Sequence, residues 1–373
     1  MLERFTVENY KNFQKPITLD FLNTHDYQYN SDCVSDGILS KIIIYGPNAS
    51  GKSNLGFALF DIVVTLTDKN RVREQVDVNS FLNADSGSKV ARFEYCFKKG
   101  SEHIKYIYKK TSPTEMAYEE MRVDEKLVFR YDFLTQEHDF AGMNLIHAEN
   151  LNMEYFESSF PILRYVANNT IQSGDSYVKF IMSFVSNMLW FRSLQNNAYI
   201  GLTVGGEDVG AWIVEQGLVS EFQQFMKKMA GIDKTLEGAI LPQLSARPLL
   251  MEKHKNKSLL FDANASSGTK TLQIYFYWSK RFKDVSFLYI DEFDAFYHFD
   301  LAWNIVKAVS EQRGIQAIFT THNTYLASNA LLRPDCYFKL RNGKIVSFAN
   351  STSRELREGH NLEKMLRNGE FDA

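Results

Sequence analysis

Five side chains in this sequence are of the types that grip and hydrolyse a polyphosphate: Lys52, Ser53, Asp291, Glu292 and His322. The first two close the run Gly46-Pro47-Asn48-Ala49-Ser50-Gly51-Lys52-Ser53, which satisfies G-x-x-x-x-G-K-[ST] at every specified position. In that pattern the glycines let successive backbone N–H groups curl around phosphate. The ammonium neutralises the β and γ oxygens, and the hydroxyl joins the shell of a Mg²⁺ ion. The apolar run Lys41-Ile42-Ile43-Ile44-Tyr45 ahead of it reads as a strand. The stretch from Asn54 to Phe60 reads as a helix whose N-terminal end faces the anion. ATP and Mg²⁺ are the cofactors expected, with Gly46 to Asn54 in contact with them.

The remaining three residues stand far downstream. Val285-Ser286-Phe287-Leu288-Tyr289-Ile290 reads as an apolar strand that delivers Asp291 and Glu292 at its C-terminal end, where ligands sit in an open α/β sheet. Asp291 is expected to hold Mg²⁺ together with Ser53, and Glu292 to orient or deprotonate the attacking water. Gln316-Ala317-Ile318-Phe319-Thr320-Thr321 reads as a further buried strand ending at His322, placed to hydrogen-bond a γ-phosphate or its water. A fourth element, Asn264-Ala265-Ser266-Ser267-Gly268-Thr269-Lys270-Thr271, precedes a helical stretch. Small hydroxyl residues and glycine there make a second anion-binding helix start.

The order of these elements resembles the ABC-type ATPase heads of SMC and RecF proteins and of OLD-like ATPases. It is more closely similar to the stand-alone AAA family ATPases of prokaryotic defence and abortive-infection loci, including RloA-like proteins and the ATPase subunit of PARIS-type anti-phage systems. The opening Leu2-Glu3-Arg4-Phe5-Thr6-Val7-Glu8-Asn9-Tyr10-Lys11-Asn12-Phe13, the segment Ser266-Ser267-Gly268-Thr269 and the tail Leu356-Arg357-Glu358-Gly359-His360-Asn361-Leu362-Glu363-Lys364-Met365 carry that closer likeness. The resemblance implies that Ser266 to Thr269 meet the γ-phosphate of a second copy across a head-to-head dimer, with Lys270 adding positive charge. Transporters of the wider family have Leu-Ser-Gly-Gly-Gln there, whereas this chain has Ser267-Gly268-Thr269-Lys270. Gln136 is the candidate for the family's Q-loop glutamine, in a poor strand context.

The resemblance implies an α/β P-loop scaffold of the ABC-type head, to which the patterning adds an antiparallel β subdomain and a compact, mainly helical insertion. The expected divisions are 1–140 for the first ATPase lobe, 141–254 for the insertion, 255–350 for the second lobe, and 351–373 for a tail. Alternating patterns predict antiparallel strands at 5–10, 17–21, 92–97, 103–108 and 126–131. Helices are expected over 154–169, 176–189 and 209–229, too short and interrupted for a long heptad arm. Hydrophobic residues at 45% and charged ones at 23% indicate globular material rather than disorder. The net charge of -3 supplies no global attraction to nucleic acid, and a local basic groove stays open as an alternative. Cys33, Cys96 and Cys336 have neither metal-site nor disulfide spacing. No signal peptide or membrane-length apolar run is recognised, so a cytoplasmic setting is expected.

The function that the resemblance implies is an ATP-hydrolysing sensor or switch subunit of an anti-phage defence system, working through homodimers or higher homo-oligomers of its heads. A separate effector, a nuclease or Toprim-like toxin, is the expected partner, with a phage protein as trigger. A RecF-like ATPase acting on DNA, and a nucleotide-binding scaffold, are the alternatives. Direct nuclease chemistry is not expected: about fifty residues follow His322, too few for the appended nuclease domain of OLD-like proteins. Glu119, Glu120 and Glu149 read as solvated acids.

Overall fold

The computed structural model describes residues 1–67, 78–154, 156–171, 174–192, 198–202, 208–243, 245–295 and 298–372. Two seven-stranded sheets organise it. The first is antiparallel, in the order His138–Asp139, Lys126–Asp132, Met116–Val123, Glu102–Lys110, Ala91–Lys99, Leu2–Glu8 and Ile17–Asp20. The alternation of buried and half-buried positions along Ala91–Lys99 shows why: one face packs and the other meets water. The expected antiparallel strands are all present, and Met116–Val123, whose paired glutamates break the alternation, joins them.

The second sheet runs Ala198–Gly201, Met188–Arg192, Phe287–Asp291, Gln316–Thr321, Lys41–Tyr45, Tyr337–Arg341 and Lys344–Ser347. Its five central strands are parallel and its two outer strands antiparallel. Lys41–Tyr45, Phe287–Asp291 and Gln316–Thr321 are buried at every position, as strands covered on both faces must be. The Gln316 side chain ties the two sheets together: it accepts from the Leu2 N–H at 3.0 Å and donates to the Leu2 carbonyl at 2.8 Å.

Helix Lys52–Leu66 lies between the sheets, and its sequence is apolar nearly all round because both sides are covered. On one side Gly56 lets it press against the nucleotide sheet: a Cβ there would come within 2.9 Å of the Trp190 ring and 3.0 Å of the Tyr289 ring. On the other side Asp61 meets Lys110 at 3.0 Å and Tyr108 Oη at 2.9 Å, all buried. The Tyr95 hydroxyl donates to the Ala58 carbonyl at 3.0 Å.

The segment 141–254 is mainly helical, as expected, but it is not set apart from the nucleotide sheet. It contains helices Ile162–Asn169, Tyr177–Ser186, Val209–Glu215 and Val219–Ala230, but also Met188–Arg192, an inner strand of the nucleotide sheet. Tyr155, inside the expected 154–169 helix, lies outside the described residues. Continuous burial of Met-Leu-Trp-Phe-Arg leaves no period that distinguishes a short strand from a helix end. The boundary at 254 therefore separates strands that pair, Met188–Arg192 with Phe287–Asp291 and Leu249–Lys253 with Ser258–Leu260.

Two readings of charge are also corrected. Glu119 is fully buried and accepts from Tyr106 Oη at 3.0 Å and from the N–H groups of Ile162 and Leu163 at 2.6 and 2.9 Å. It caps a helix start from a neighbouring strand, which linear sequence does not announce. Glu120 is nearly buried too, held by Arg122 Nε at 2.6 Å and by Tyr118; Glu149 is exposed as expected. The charged tail folds back, burying Leu356, Leu362, Leu366 and Phe371. Among the described residues no helix is long and apolar enough to cross a membrane.

Candidate nucleotide site

The strand order brings the distant motifs together. Lys41–Tyr45 has Gln316–Thr321 on one side, and Phe287–Asp291 lies beyond that. All three point their C-terminal ends the same way, so Gly46, His322 and Asp291 emerge on one edge.

The loop after Lys41–Tyr45 turns through left-handed backbone at Ala49 (φ 62°) and Gly51 (φ 103°), the second of which caps the helix. Gly46 has no room for a side chain: a Cβ would lie 2.5 Å from Ser50 Oγ and 2.7 Å from the Leu340 carbonyl oxygen. Asn12, from the chain's opening segment, buttresses the loop by donating to the Ser50 carbonyl at 3.3 Å and accepting from Asn54 Nδ2 at 2.7 Å. The Lys52 ammonium donates to the Gly46 carbonyl at 2.9 Å, the Pro47 carbonyl at 3.4 Å and His322 Nε2 at 2.8 Å. Burial pushes the Lys52 pKa down, while Glu292 and Asp291 pull it back.

Ser53 Oγ donates to Asp291 Oδ2 at 2.6 Å. The other Asp291 oxygen accepts from Thr320 Oγ1 at 2.6 Å, and that hydroxyl in turn accepts the Glu292 backbone N–H at 2.8 Å. Thr320, on the neighbouring strand, thus fixes both acids. Glu292 adopts φ 46°, a conformation that costs on the order of 1–2 kcal/mol for a residue with a Cβ. It turns the side chain away from Asp291's direction, and Glu292 Oε1 reaches to 3.8 Å from His322 Nε2. Burial and then the Lys52 charge lower the His322 pKa. The ammonium can only donate, so Nε2 is the acceptor and the ring is neutral. Beyond the acids, Asp294 accepts from Thr321 Oγ1 at 2.8 Å, and burial pushes its pKa up.

The donor set suits ATP with Mg²⁺. A hydroxyl and a carboxylate 2.6 Å apart are hard oxygen ligands of the kind Mg²⁺ takes, the rest of its shell coming from phosphate and water. The first-turn N–H groups of helix Lys52–Leu66 have no carbonyl one turn back and point at the loop. Ser50 Oγ is buried there without a hydrogen-bond partner.

Ser266 to Lys270 belong to a different element. Ser266 is the N-cap of helix Ser267–Ser279 and its Oγ accepts from the Thr269 N–H at 3.3 Å. Ser266 and Ser267 are exposed, Gly268 and Lys270 half-buried, and the Lys270 charge acts on Asp262. Gln136 is nowhere near a strand end of the nucleotide sheet. It sits at φ 61° in the turn between Lys126–Asp132 and His138–Asp139, at the far edge of the antiparallel sheet. Sequence reasoning overlooked Asn12 and Thr320 as parts of the site. Their types are generic, and only the strand order gives them a role.

Residues 41–328, which run from the phosphate-loop strand past His322, match the family model described as "AAA domain, putative AbiEii toxin, Type IV TA system". The chain belongs to this family. This AAA domain has an α/β P-loop ATPase fold with the architecture of SMC and ABC heads. Its fold is similar to an SMC head solved bound to the C-winged helix domain of ScpA, with a TM-score of 0.51 at 15% identity over 93% of this chain and 97% of that one. Two other solved structures match less well. An SMC head domain from Thermotoga maritima has a TM-score of 0.45 at 15% identity over 93% of this chain and 97% of that one. An SMC head with extended coiled coil, bound to the C-terminal domain of ScpA from Pyrococcus furiosus, has a TM-score of 0.47 at 15% identity, covering 99% and 98%. No curated protein matches the chain.

Proposed function

We propose that this AAA domain protein is an ATP-binding and hydrolysing switch subunit of a prokaryotic anti-phage defence system. Two copies sandwich ATP between the Gly46–Ser53 loop of one and the Ser266-Ser267-Gly268-Thr269 segment of the other, and their association holds or controls a separate effector. Lys52 and the loop N–H groups bind the phosphates, and Ser53 and Asp291 hold Mg²⁺. Glu292 orients water, with His322 beside it. The γ-phosphate joins the copies and its loss loosens them.

One observation carries the reading. Lys52, Ser53, Asp291, Glu292 and His322 converge at one sheet edge, while the helix start at Ser266 and Ser267 stands exposed on another element. Exposure there leaves it free to serve a second copy. The toxin and type IV TA wording of the family description supports a defence setting with a separate partner.

The test is ATP turnover with sedimentation velocity in Mg²⁺ and ATP. Lys52→Ala should abolish both turnover and association. Glu292→Gln should stop turnover, by about 10²-fold or more for a lost water-orienting group, and accumulate the associated form. Ser267→Arg should keep nucleotide binding and lose association. Wild-type turnover and association in all three would overturn the proposal. ATP-dependent, salt-sensitive binding to duplex ends by a monomer would favour the DNA-processing alternative.

A further inference from the structure

Arg192 ends the strand Met188–Arg192, and the parallel register pairs it with Asp291. Residues paired in this way share a face of the sheet, and this face is the one that meets helix Lys52–Leu66. Asp291 meets Ser53 on that helix, and Arg192 meets Phe57, one helical turn further on. The guanidinium carbon stands 4.7 Å from the Phe57 ring centroid and 5.2 Å from that of Trp190. The two rings meet edge to face at 83°, forming a slot that fixes the plane of the guanidinium. Arg192 is only 7% exposed. Burial lowers its pKa and the Asp291 carboxylate raises it.

A guanidinium taken almost wholly out of water is costly, and a methionine or leucine would fill the same slot against two rings more cheaply. The register sets this cation beside one charge of the nucleotide site in particular, that of Asp291. Asp291 already accepts two hydroxyls, from Ser53 and Thr320, but both are neutral dipoles. Beside a bound polyphosphate its negative charge is a liability that Mg²⁺ removes, or that a fixed protein cation offsets.

We propose that Arg192 is a positioning residue of the nucleotide site: a fixed cation that offsets the charge of Asp291 independently of Mg²⁺, so that phosphate is not repelled before the metal is in place. This rests on the ATP site proposed above. Its consequence is a specific split. Without metal, loss of the Arg192 charge leaves Asp291 facing the phosphates uncompensated, and nucleotide binds more weakly. With Mg²⁺ bridging Asp291 and phosphate, the same loss has little effect.

The experiment is equilibrium binding of a fluorescent ATP analogue to the full chain, once in EDTA and once in Mg²⁺, with the ratio of the two Kd values as the readout. Arg192→Met keeps the stacked apolar bulk and should raise that ratio about tenfold, the scale of one nearby unit charge in a partly buried site. Arg192→Lys should keep it near the wild-type value. In an Asp291→Asn background, Arg192→Met should leave the ratio unchanged, because the charge it offsets is gone. Should Arg192→Met fail to fold, Arg192→Gln against Arg192→Lys gives the same comparison. An equal loss in both conditions, or no loss in either, makes Arg192 a merely structural residue and overturns the inference. Failure of the wild type to bind nucleotide at all would instead sink the site itself.

Discussion

Lys52 Nζ and His322 Nε2 are 2.8 Å apart, joining the phosphate loop to the end of the adjacent strand by a side-chain hydrogen bond. The register pairs Thr321 with Tyr45, which sets His322 beside Gly46. With the carbonyls of Gly46 and Pro47, His322 completes three acceptors for the three protons of the ammonium. A phosphate oxygen that engages Lys52 must therefore compete with one of these partners. His322 is the one that leads onward, into Asn323, Thr324 and the turn beyond.

That contact contributes to the titration of the imidazole. Its pKa lies below the ordinary 6.5, from burial first and from the Lys52 charge second. Lys52→Met removes the second cause only, so the His322 pKa should rise part of the way back, as followed by NMR of the ring nitrogens. The stability effect has a definite sign. Because the folded pKa is depressed, the unfolded chain binds the proton more readily, and stability falls as pH drops through 6.5. The Lys52→Met protein should show a shallower fall over that range. An unchanged imidazole titration would mean that the hydrogen bond does not form in solution.

The parts of the site legible in the sequence are those whose meaning is local. Gly46 to Ser53 announces its loop, and a buried run ending Asp291-Glu292 or His322 announces a strand end. The strand Gln316–Thr321 is found at its expected residues. Met188–Arg192 was hidden because five buried residues carry no period, and Arg192 gains its meaning only from a parallel register with a strand far along the chain. Thr320 and Asn12 are ordinary polar residues until neighbouring strands place them on Asp291 and Ser50. Glu119 was misread for the same reason: its donors lie on another element.

The Asp61–Lys110 pair should behave as a buried ion pair between the helix and the antiparallel sheet. Both side chains are under 10% exposed, and Tyr108 and Thr65 also donate to or accept from the pair. Lys110→Met alone leaves Asp61 buried without its cation and should destabilise by about 3–5 kcal/mol in urea denaturation. Adding Asp61→Leu should recover much of that loss. A single variant within about 0.5 kcal/mol of wild type would show that water reaches the pair.

Glu119 gives the protein a second pH dependence, of opposite sign to that of His322. Burial raises its pKa from 4.5 to about 7, against the three donors that favour the carboxylate. A raised carboxyl pKa means that the folded chain holds the proton more tightly. Its contribution is therefore full below pH 4.5 and is lost as pH rises to about 7. The whole effect is at most about 3 kcal/mol. Glu119→Gln cannot titrate, so the difference in melting temperature between it and wild type should narrow from pH 5 to pH 7.5. A constant difference would refute the raised value.

Asn329 should prove to be the fastener between the turn after His322 and the folded-back tail. It is nearly buried, and its Nδ2 is shared among the carbonyls of Arg357, Glu358 and His360 at 3.0, 3.0 and 3.1 Å. Thr324 adds a weaker tie to Glu363 at 3.4 Å, and Phe371 stacks on Phe348 at 4.0 Å to hold the tail's end. Asn329→Ala strips those carbonyls of their donor and should cost about 1–3 kcal/mol. The loss should be local. Hydrogen exchange should quicken across helix Leu362–Arg367 while the buried strand Lys41–Tyr45 keeps its protection. If both speed up together, the tail is no separate unit and Asn329 supports the whole lobe.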